Sequence, residues 1–432
     1  MESPKRGHWT QSTFLIGLLY GVALGGAIVH FSPFTQEADV DHYREVRDFI
    51  HERYVEDIDS DVLVRSALSG MVESLDPYSR YLSTSEETST FDRETRGSFT
   101  GIGVVFRGPI EGGRVLFPMS NSPAADAGVR VGDQIITVDG APLAGTSETQ
   151  ARALFQGAAG SVATLTLSGL DGEERSVAIT RRSLLDPTVR HPHMVDVELK
   201  IAYLALTSFS RETAQEFART IEALADNGMQ GLILDLRGNP GGVLVCAVDM
   251  ARTFIDEGVI TRTRSRGEPI VYERHAEDGV ESTDLPLVIL VDGGSASSSE
   301  VLAGALQDHR AAVLVGSPTY GKARVQSVRH FDDAGAIVKV TSSYYTTPSG
   351  RDLERSPLRP WGIQPDLHIA LDAKTEALVH RHIHRYDPPA EALEALFAWE
   401  DASGEELLPQ GPEDPQLAAA LALLRGERPA GS

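Results

Sequence analysis

The stretch from Lys200 to Val315 limits most how this chain folds, because strand-like and helix-like runs alternate along it. Lys200–Leu206, Gly231–Leu236, Leu287–Val291 and Ala311–Val315 are short and mostly apolar, which predicts strands. Arg211–Ala225, Val245–Ile255 and Ser297–Asp308 carry apolar residues at helical spacing, the first behind Ser210 as N-cap. That alternation predicts an α/β domain.

A chain of 432 residues has room for more, since one domain takes roughly 100–200. Residues 38 to about 95 read as helical, with Val46, Phe49, Ile50 and Tyr54, then Val64, Leu68, Met71, Val72 and Leu75, until the turn Leu75-Asp76-Pro77-Tyr78. From Gly97 to about Leu184 short strands and turns take over. Arg114–Phe117, Val162–Leu167 and Ser176–Thr180 read as strands, and Ser122–Gly128 as a short helix with Pro inside its start and Gly past its end.

Near the amino end no Asp, Glu, Lys or Arg occurs between Arg6 and Glu37. Phe14–Phe31 is apolar apart from His30, long enough for one short membrane crossing, and the preceding basic flank keeps the N-terminus cytoplasmic. A cleaved signal peptide is the rival, since Ala23, Gly25 and Ala27 are small. Either predicts an extracytoplasmic, periplasmic-side body, anchored in the inner membrane or secreted.

Composition removes several function classes. Lys plus Arg is 39 against 62 Asp plus Glu, a net charge of −23 that repels phosphate backbones and argues against nucleic acid. The single cysteine, Cys246, forms no intrachain disulfide and no zinc site alone. His380, His382 and His384 lack further ligands nearby, so no metal is expected. Lysine stands only at positions 5, 200, 322, 339 and 374, leaving 39 − 5 = 34 arginines. A lysine can be made neutral by burial and an arginine cannot, which draws attention to Lys322.

Three constellations carry chemistry. Gly101-Ile102-Gly103-Val104 opens the β-rich region, and glycines before a strand let backbone N–H groups converge on a carboxylate, although a lone Gly-x-Gly is usually just a turn. Gly293–Glu300 (GGSASSSE) joins a predicted strand to a predicted helix, where a serine projects beside unpaired N–H groups; helix capping is the plainer fate of such serines. Gly321–Gln326 (GKARVQ) sets Lys322 and Gln326 four apart, on one side of a helix or strand, so that an uncharged amide holds the amine. A buried neutral lysine then takes a serine proton. Read as a phosphate loop, Gly316–Lys322 fails at Ala323, which has no hydroxyl for a metal.

With SPAADAG at Ser122–Gly128 and VGDQIITVDG at Val131–Gly140, the first constellation closely resembles a bacterial PDZ domain. DLRGNPGG at Asp235–Gly242, GGSASSSE and GKARVQ resemble the carboxyl-terminal processing (tail-specific) serine proteases, joined by LDPYSRYLS at Leu75–Ser83, YYTTPSGR at Tyr344–Arg351 and GIQPD at Gly362–Asp366. The resemblance runs from about residue 40 to 372. It implies an α/β, crotonase-like ββα protease core with an inserted, mostly-β PDZ domain. The divisions are 1–36 anchor or signal, 37–96 helical segment, 97–184 PDZ domain, 185–372 protease core and 373–432 a partly helical tail.

The resemblance further implies Ser297 as nucleophile, Lys322 as general base and Gln326 as its positioning partner, with 322 − 297 = 25 the family spacing. The oxyanion hole would pair the Ser298 N–H with that of Gly241 or Gly242. Ser298 replaces the alanine frequent in the family and is expected to act through its backbone alone. No cofactor is implied. Gly101, Ile102, Gly103 and Val104 would bind a partner's C-terminal residues, small or apolar at the end, as an added strand. A homo-oligomer or an adaptor is left open. The other class of function is a catalytically silent PDZ scaffold holding extracytoplasmic protein tails, against which the joint presence of Ser297, Lys322 and Gln326 counts.

Overall fold

The computed structural model describes residues 37–108, 112–267, 272–276, 283–408 and 411–429. The chain divides into two compact units after Ser74. The first contains helices α1 (Glu37–Arg53) and α2 (Ser60–Glu73), the latter capped by the Asp59 carboxylate on the Asp61 N–H at 2.9 Å. The apolar segment Phe14–Phe31 lies outside the described residues. Among those described, no helix is long and apolar enough to cross a membrane.

The second unit opens with a strand where helix is expected. The Asp76 carboxylate collects the N–H groups of Tyr78 and Ser79 and the Ser79 hydroxyl, which fixes the turn that launches β1 (Arg80–Leu82). Helix α3 (Ser85–Arg96) follows, started by a Thr84–Glu87 capping box and stopped at Gly97. Next, β2 (Ser98–Gly101) gives way to β3 (Val104–Arg107), β4 (Arg114–Pro118), the short helix α4 (Pro123–Asp126), β5 (Gln134–Val138), β6 (Ala141–Pro142), α5 (Glu148–Phe155), β7 (Val162–Ser168), β8 (Glu174–Thr180) and β9 (Arg182–Leu185). An antiparallel sheet of order β3-β4-β5-β7-β8 forms the body, β6 adds to β5, and β2 pairs with β9 at its root. Alternate residues Ala163, Leu165 and Leu167 of β7 point into a core with Ile102, Val115 and Ile135.

The α/β domain has a sheet of order β10-β11-β12-β15-β16-β19, made of β10 (Val189–Asp196), β11 (Ile201–Leu206), β12 (Gly231–Asp235), β15 (Leu287–Val291), β16 (Val313–Gly316) and β19 (Leu367–His368). All pairs are parallel except the β10 edge. Every residue of β11, β12 and β15 is buried, as their nearly continuous apolar runs predict. The exception to that apolarity, Asp235 at the end of β12, is paired with Arg237 and Tyr203. Helices α6 (Thr213–Asp226), α7 (Leu244–Ala251) and α8 (Ser298–Asp308) cover one face. The tail covers the other: Val379 and Ile383 of α9 (Ala373–Ile383), and Ala419 and Ala420 of α11 (Pro415–Leu424), join Ile201, Tyr203 and Val288. Leu417, Leu421, Leu423 and Leu424 pack there too. Between them, α10 (Ala390–Ser403) sets Ala392, Leu396 and Trp399 on Leu116 and Phe117 of β4. A second sheet, β1-β18-β13-β14 with β17 on β18, is built from β13 (Val259–Ser265), β14 (Tyr272–His275), β17 (Arg324–Phe331) and β18 (Ala336–Thr346).

Ser210 is not the cap of α6. Its N–H donates to Thr213 Oγ1 at 2.8 Å and its hydroxyl accepts from Glu212, a tight turn that delays the helix to Thr213.

Candidate active site

The turn between β15 and α8 holds four serines that sequence alone does not separate. Three are buried and committed: Ser295 Oγ donates to Leu236 O (2.8 Å), Ser298 Oγ to Gly242 O (3.0 Å) and Ser299 Oγ to Asn239 O (2.9 Å). Ser297 is partly exposed and lines a chamber of about 1340 Å³, together with Lys322, Gln326, Gly241 and Gly242. Its backbone has φ 56°, a left-handed value uncommon for a residue with a Cβ. The expectation that Ser298 acts through its backbone alone is corrected, because its hydroxyl ties the Asp235–Gly242 loop to the β15–α8 turn.

Two buried side chains hold Ser297 and Lys322 together. The Glu300 carboxylate accepts the N–H groups of Ser297 (2.9 Å), Gly321 (2.7 Å) and Lys322 (2.9 Å), and the Thr319 hydroxyl (2.6 Å). Burial raises its pKa, and these four donors oppose that. The Tyr345 hydroxyl lies against the carbonyls of the same two residues, Ser297 (3.1 Å) and Lys322. Both lie inside the motifs GGSASSSE and YYTTPSGR, but their joint hold on Ser297 and Lys322 is not readable there, because it depends on contacts 22, 23 and 48 residues apart in sequence.

Lys322 lies just before β17 (Arg324–Phe331), outside the strand, so the regular spacing assumed from a gap of four does not extend to it. Gln326 nevertheless meets it. The Gln326 amide donates to Tyr78 O (2.9 Å), which leaves Oε1 to accept from Lys322 Nζ at 3.4 Å. Burial first, then the charge of Lys339, pushes the Lys322 pKa from 10.5 down to about 8, against the pull of Glu300, Asp76 and Glu354. The Tyr78 ring lies 5.0 Å from Nζ, and burial holds that phenol neutral with a pKa near 12. No hydrogen bond joins Ser297 to Lys322 among the described residues, an arrangement common before substrate tightens a site.

The loop Asp235–Gly242 faces this turn. A Cβ at Gly241 would come within 2.8 Å of both Ser297 Cβ and Ser298 N, so glycine is required. The Gly241 N–H donates to Asn239 Oδ1 (2.9 Å), whereas Gly242 N–H finds no acceptor among the described residues. The loop is braced from behind. Asp292 accepts from the N–H groups of Gly238 (2.9 Å) and Gly294 (2.8 Å) and from His380 of the tail. Burial alone would raise the Asp292 pKa, but these donors keep it low. Arg237, wholly buried, is bound by Asp235 at the end of β12 and by Asp414 and Gln416 at the start of α11. Asp292, Glu376 and His380 bring potential metal ligands within 4.8 Å of one another, but the Asp292–His380 bond already accounts for two of them.

Gly101, Ile102, Gly103 and Val104 run from the end of β2 into β3 beside a separate groove of about 520 Å³. At Gly103, φ is 75° and a Cβ would meet Ser122 at 2.4 Å. The carbonyls of Ile102 and Gly103 are used by Ala124 and Met119. Their buried N–H groups have no acceptor among the described residues.

A serine on a strained turn, a lysine made easy to deprotonate and a glycine loop opposite define a serine-type peptidase. The peptidase family S41 model matches residues 200–369, a PDZ domain model residues 116–168, and the activating protease CtpB N-terminal domain model residues 32–88. A carboxy-terminal-processing protease of Bartonella bacilliformis is 32% identical over 368 residues, 82% of this chain and 81% of that one. A probable CtpA-like serine protease of Staphylococcus aureus is 33% identical over 384 residues, 85% of this chain and 74% of that one. The solved photosystem II D1 C-terminal processing protease is 28% identical, covering 78% of this chain and 93% of that one, with a TM-score of 0.43. The chain belongs to peptidase family S41, the carboxy-terminal-processing serine proteases.

Proposed function

We propose that the protein is an endopeptidase that takes protein C-termini at its PDZ groove and cuts them with Ser297 and Lys322. The observation that carries this reading is the joint grip of Glu300 and Tyr345 on both residues, beside a lysine whose pKa is about 8. Neutral Lys322 takes the Ser297 proton as Oγ attacks the scissile carbonyl, and Gln326 aims the amine. The N–H groups of Ser298 and Gly242 receive the oxyanion; the bond from Gly241 to Asn239 makes Gly242 the freer of the two glycines. Lys322 returns the proton to the leaving amine, and water then cleaves the acyl-enzyme with Lys322 again as base. Gly101–Val104 form the peptide-binding segment, with the Ile102 and Gly103 N–H groups for the terminal carboxylate and an apolar floor for a small or apolar last residue. The core is read as crotonase-like and the body as extracytoplasmic, held by Phe14–Phe31 as an anchor.

The test is cleavage of an unfolded protein with an apolar C-terminus by the full chain and by Ser297→Ala. Wild type alone should cut, with kcat/KM rising with pH through about 8, where Lys322 loses its proton. Cutting by both would remove Ser297 from the role. Binding by both without cutting at any pH would favour the scaffold.

A further inference from the structure

The groove beside Gly101–Val104 is not built by the PDZ domain alone. Its floor is apolar, from Ile102, Val104, Phe106 and Phe155, but one wall comes from the tail, at Arg381, His384, Arg385 and Tyr386. That wall is fixed to the core: the Tyr386 hydroxyl donates to Asp186 at 2.6 Å, and Arg190 stacks on its ring at 4.2 Å. Five arginines, Arg93, Arg107, Arg152, Arg381 and Arg385, line the groove, and no Asp or Glu does among the described residues.

In a chain of net charge −23 this clustering needs a reason. Part of the charge is answered. Arg93 is paired with Asp186, Arg107 has Glu405 at 3.9 Å, and Arg385 feels Asp387 and Glu406. Arg381 is exposed and makes no hydrogen bond or ion pair among the described residues. A ligand strand on β3 would run about four residues along the groove at roughly 3.3 Å each. With its terminal carboxylate taken by the Ile102 and Gly103 N–H groups, Arg381 is left to meet side chains further up the tail.

We propose that the C-terminal segment is part of the peptide-binding site, and that Arg381 and Arg385, with Arg152, select tails carrying acidic side chains just upstream of a small or apolar last residue. This rests on reading the groove as a C-terminus site. Guanidinium–carboxylate pairing is directional and strong, and a basic groove on an acidic body draws acidic segments to it.

Fluorescent ten-residue peptides ending in Val-Ala would be titrated against the full chain in detergent, carrying Ser297→Ala to prevent cleavage. One has two Glu before Val-Ala, a second has Gln there, and a third is the Glu peptide with an amidated end. The Glu peptide should bind about tenfold tighter than the Gln peptide, close to 1.4 kcal/mol, with the gap closing as salt is raised. Arg381→Gln, an exposed change the fold tolerates, should shrink that gap without weakening the Gln peptide, and Arg385→Gln added to it should close it. Equal binding of the Glu and Gln peptides, with the amidated one much weaker, would overturn the acidic preference and keep the C-terminus reading. No binding by any peptide, or no loss on amidation, would overturn the C-terminus reading and this proposal with it. A preference that survives both substitutions would remove the tail wall from the site.

Discussion

The burial that suits Lys322 to the proposed role of general base also burdens the fold, because the lowered pKa reflects how poorly the site tolerates an ammonium. The folded-state pKa of about 8 lies below the ordinary 10.5, so the unfolded chain binds the proton more tightly. The penalty is full below pH 8, falls as pH rises and is gone above about 10.5. Lys322→Met should therefore be inactive yet more stable than wild type at pH 7, with its advantage in Tm vanishing near pH 10.5. Lys339, half-buried on β18 and lining the same chamber with Phe91 at 5.9 Å, is a second cation that keeps Lys322 from holding its proton. With Lys339→Met, the remaining neighbours Glu300, Asp76 and Glu354 pull the other way. The rising limb of kcat/KM should move to higher pH, and activity at pH 7 should fall a few-fold.

At the scale of the element, the β15–α8 turn works because its serines have divided duties. Ser298→Ala leaves the helix start and the backbone donor in place but frees the Gly242 carbonyl. Loss of one hydrogen bond of about 1 kcal/mol should lower kcat roughly fivefold with KM little changed. This division was not legible beforehand, since a run of serines at a helix start reads the same whichever of them is buried. Apolar runs such as Leu287–Val291 were legible to the residue because burial on both faces leaves no polar position. The strand Arg80–Leu82 was not: three residues hold no measurable period, and what makes them a strand is β18, far along the chain. The motif brings Lys322 and Gln326 forward, but regular spacing does not explain their contact, because Lys322 precedes β17 and the Tyr78 carbonyl is what orients the Gln326 amide.

Across the whole second unit, the tail links what the sequence left apart. It closes one face of the catalytic sheet, lays α10 on the PDZ domain and completes the pairing of Arg237 behind the glycine loop. Asp414→Ala strands a buried guanidinium with Asp235 as its remaining carboxylate. Urea unfolding should report a loss of about 3 kcal/mol, and kcat should fall because the loop carrying Gly241 and Gly242 loosens. The order of synthesis gives that brace another meaning. Asp414 follows Ser297 by 414 − 297 = 117 residues. A chain emerges from the ribosome amino end first. The proposed nucleophile and base are therefore both made while the support of the glycine loop is still missing, and a chain cut short anywhere between Lys322 and Asp414 carries both groups without that support.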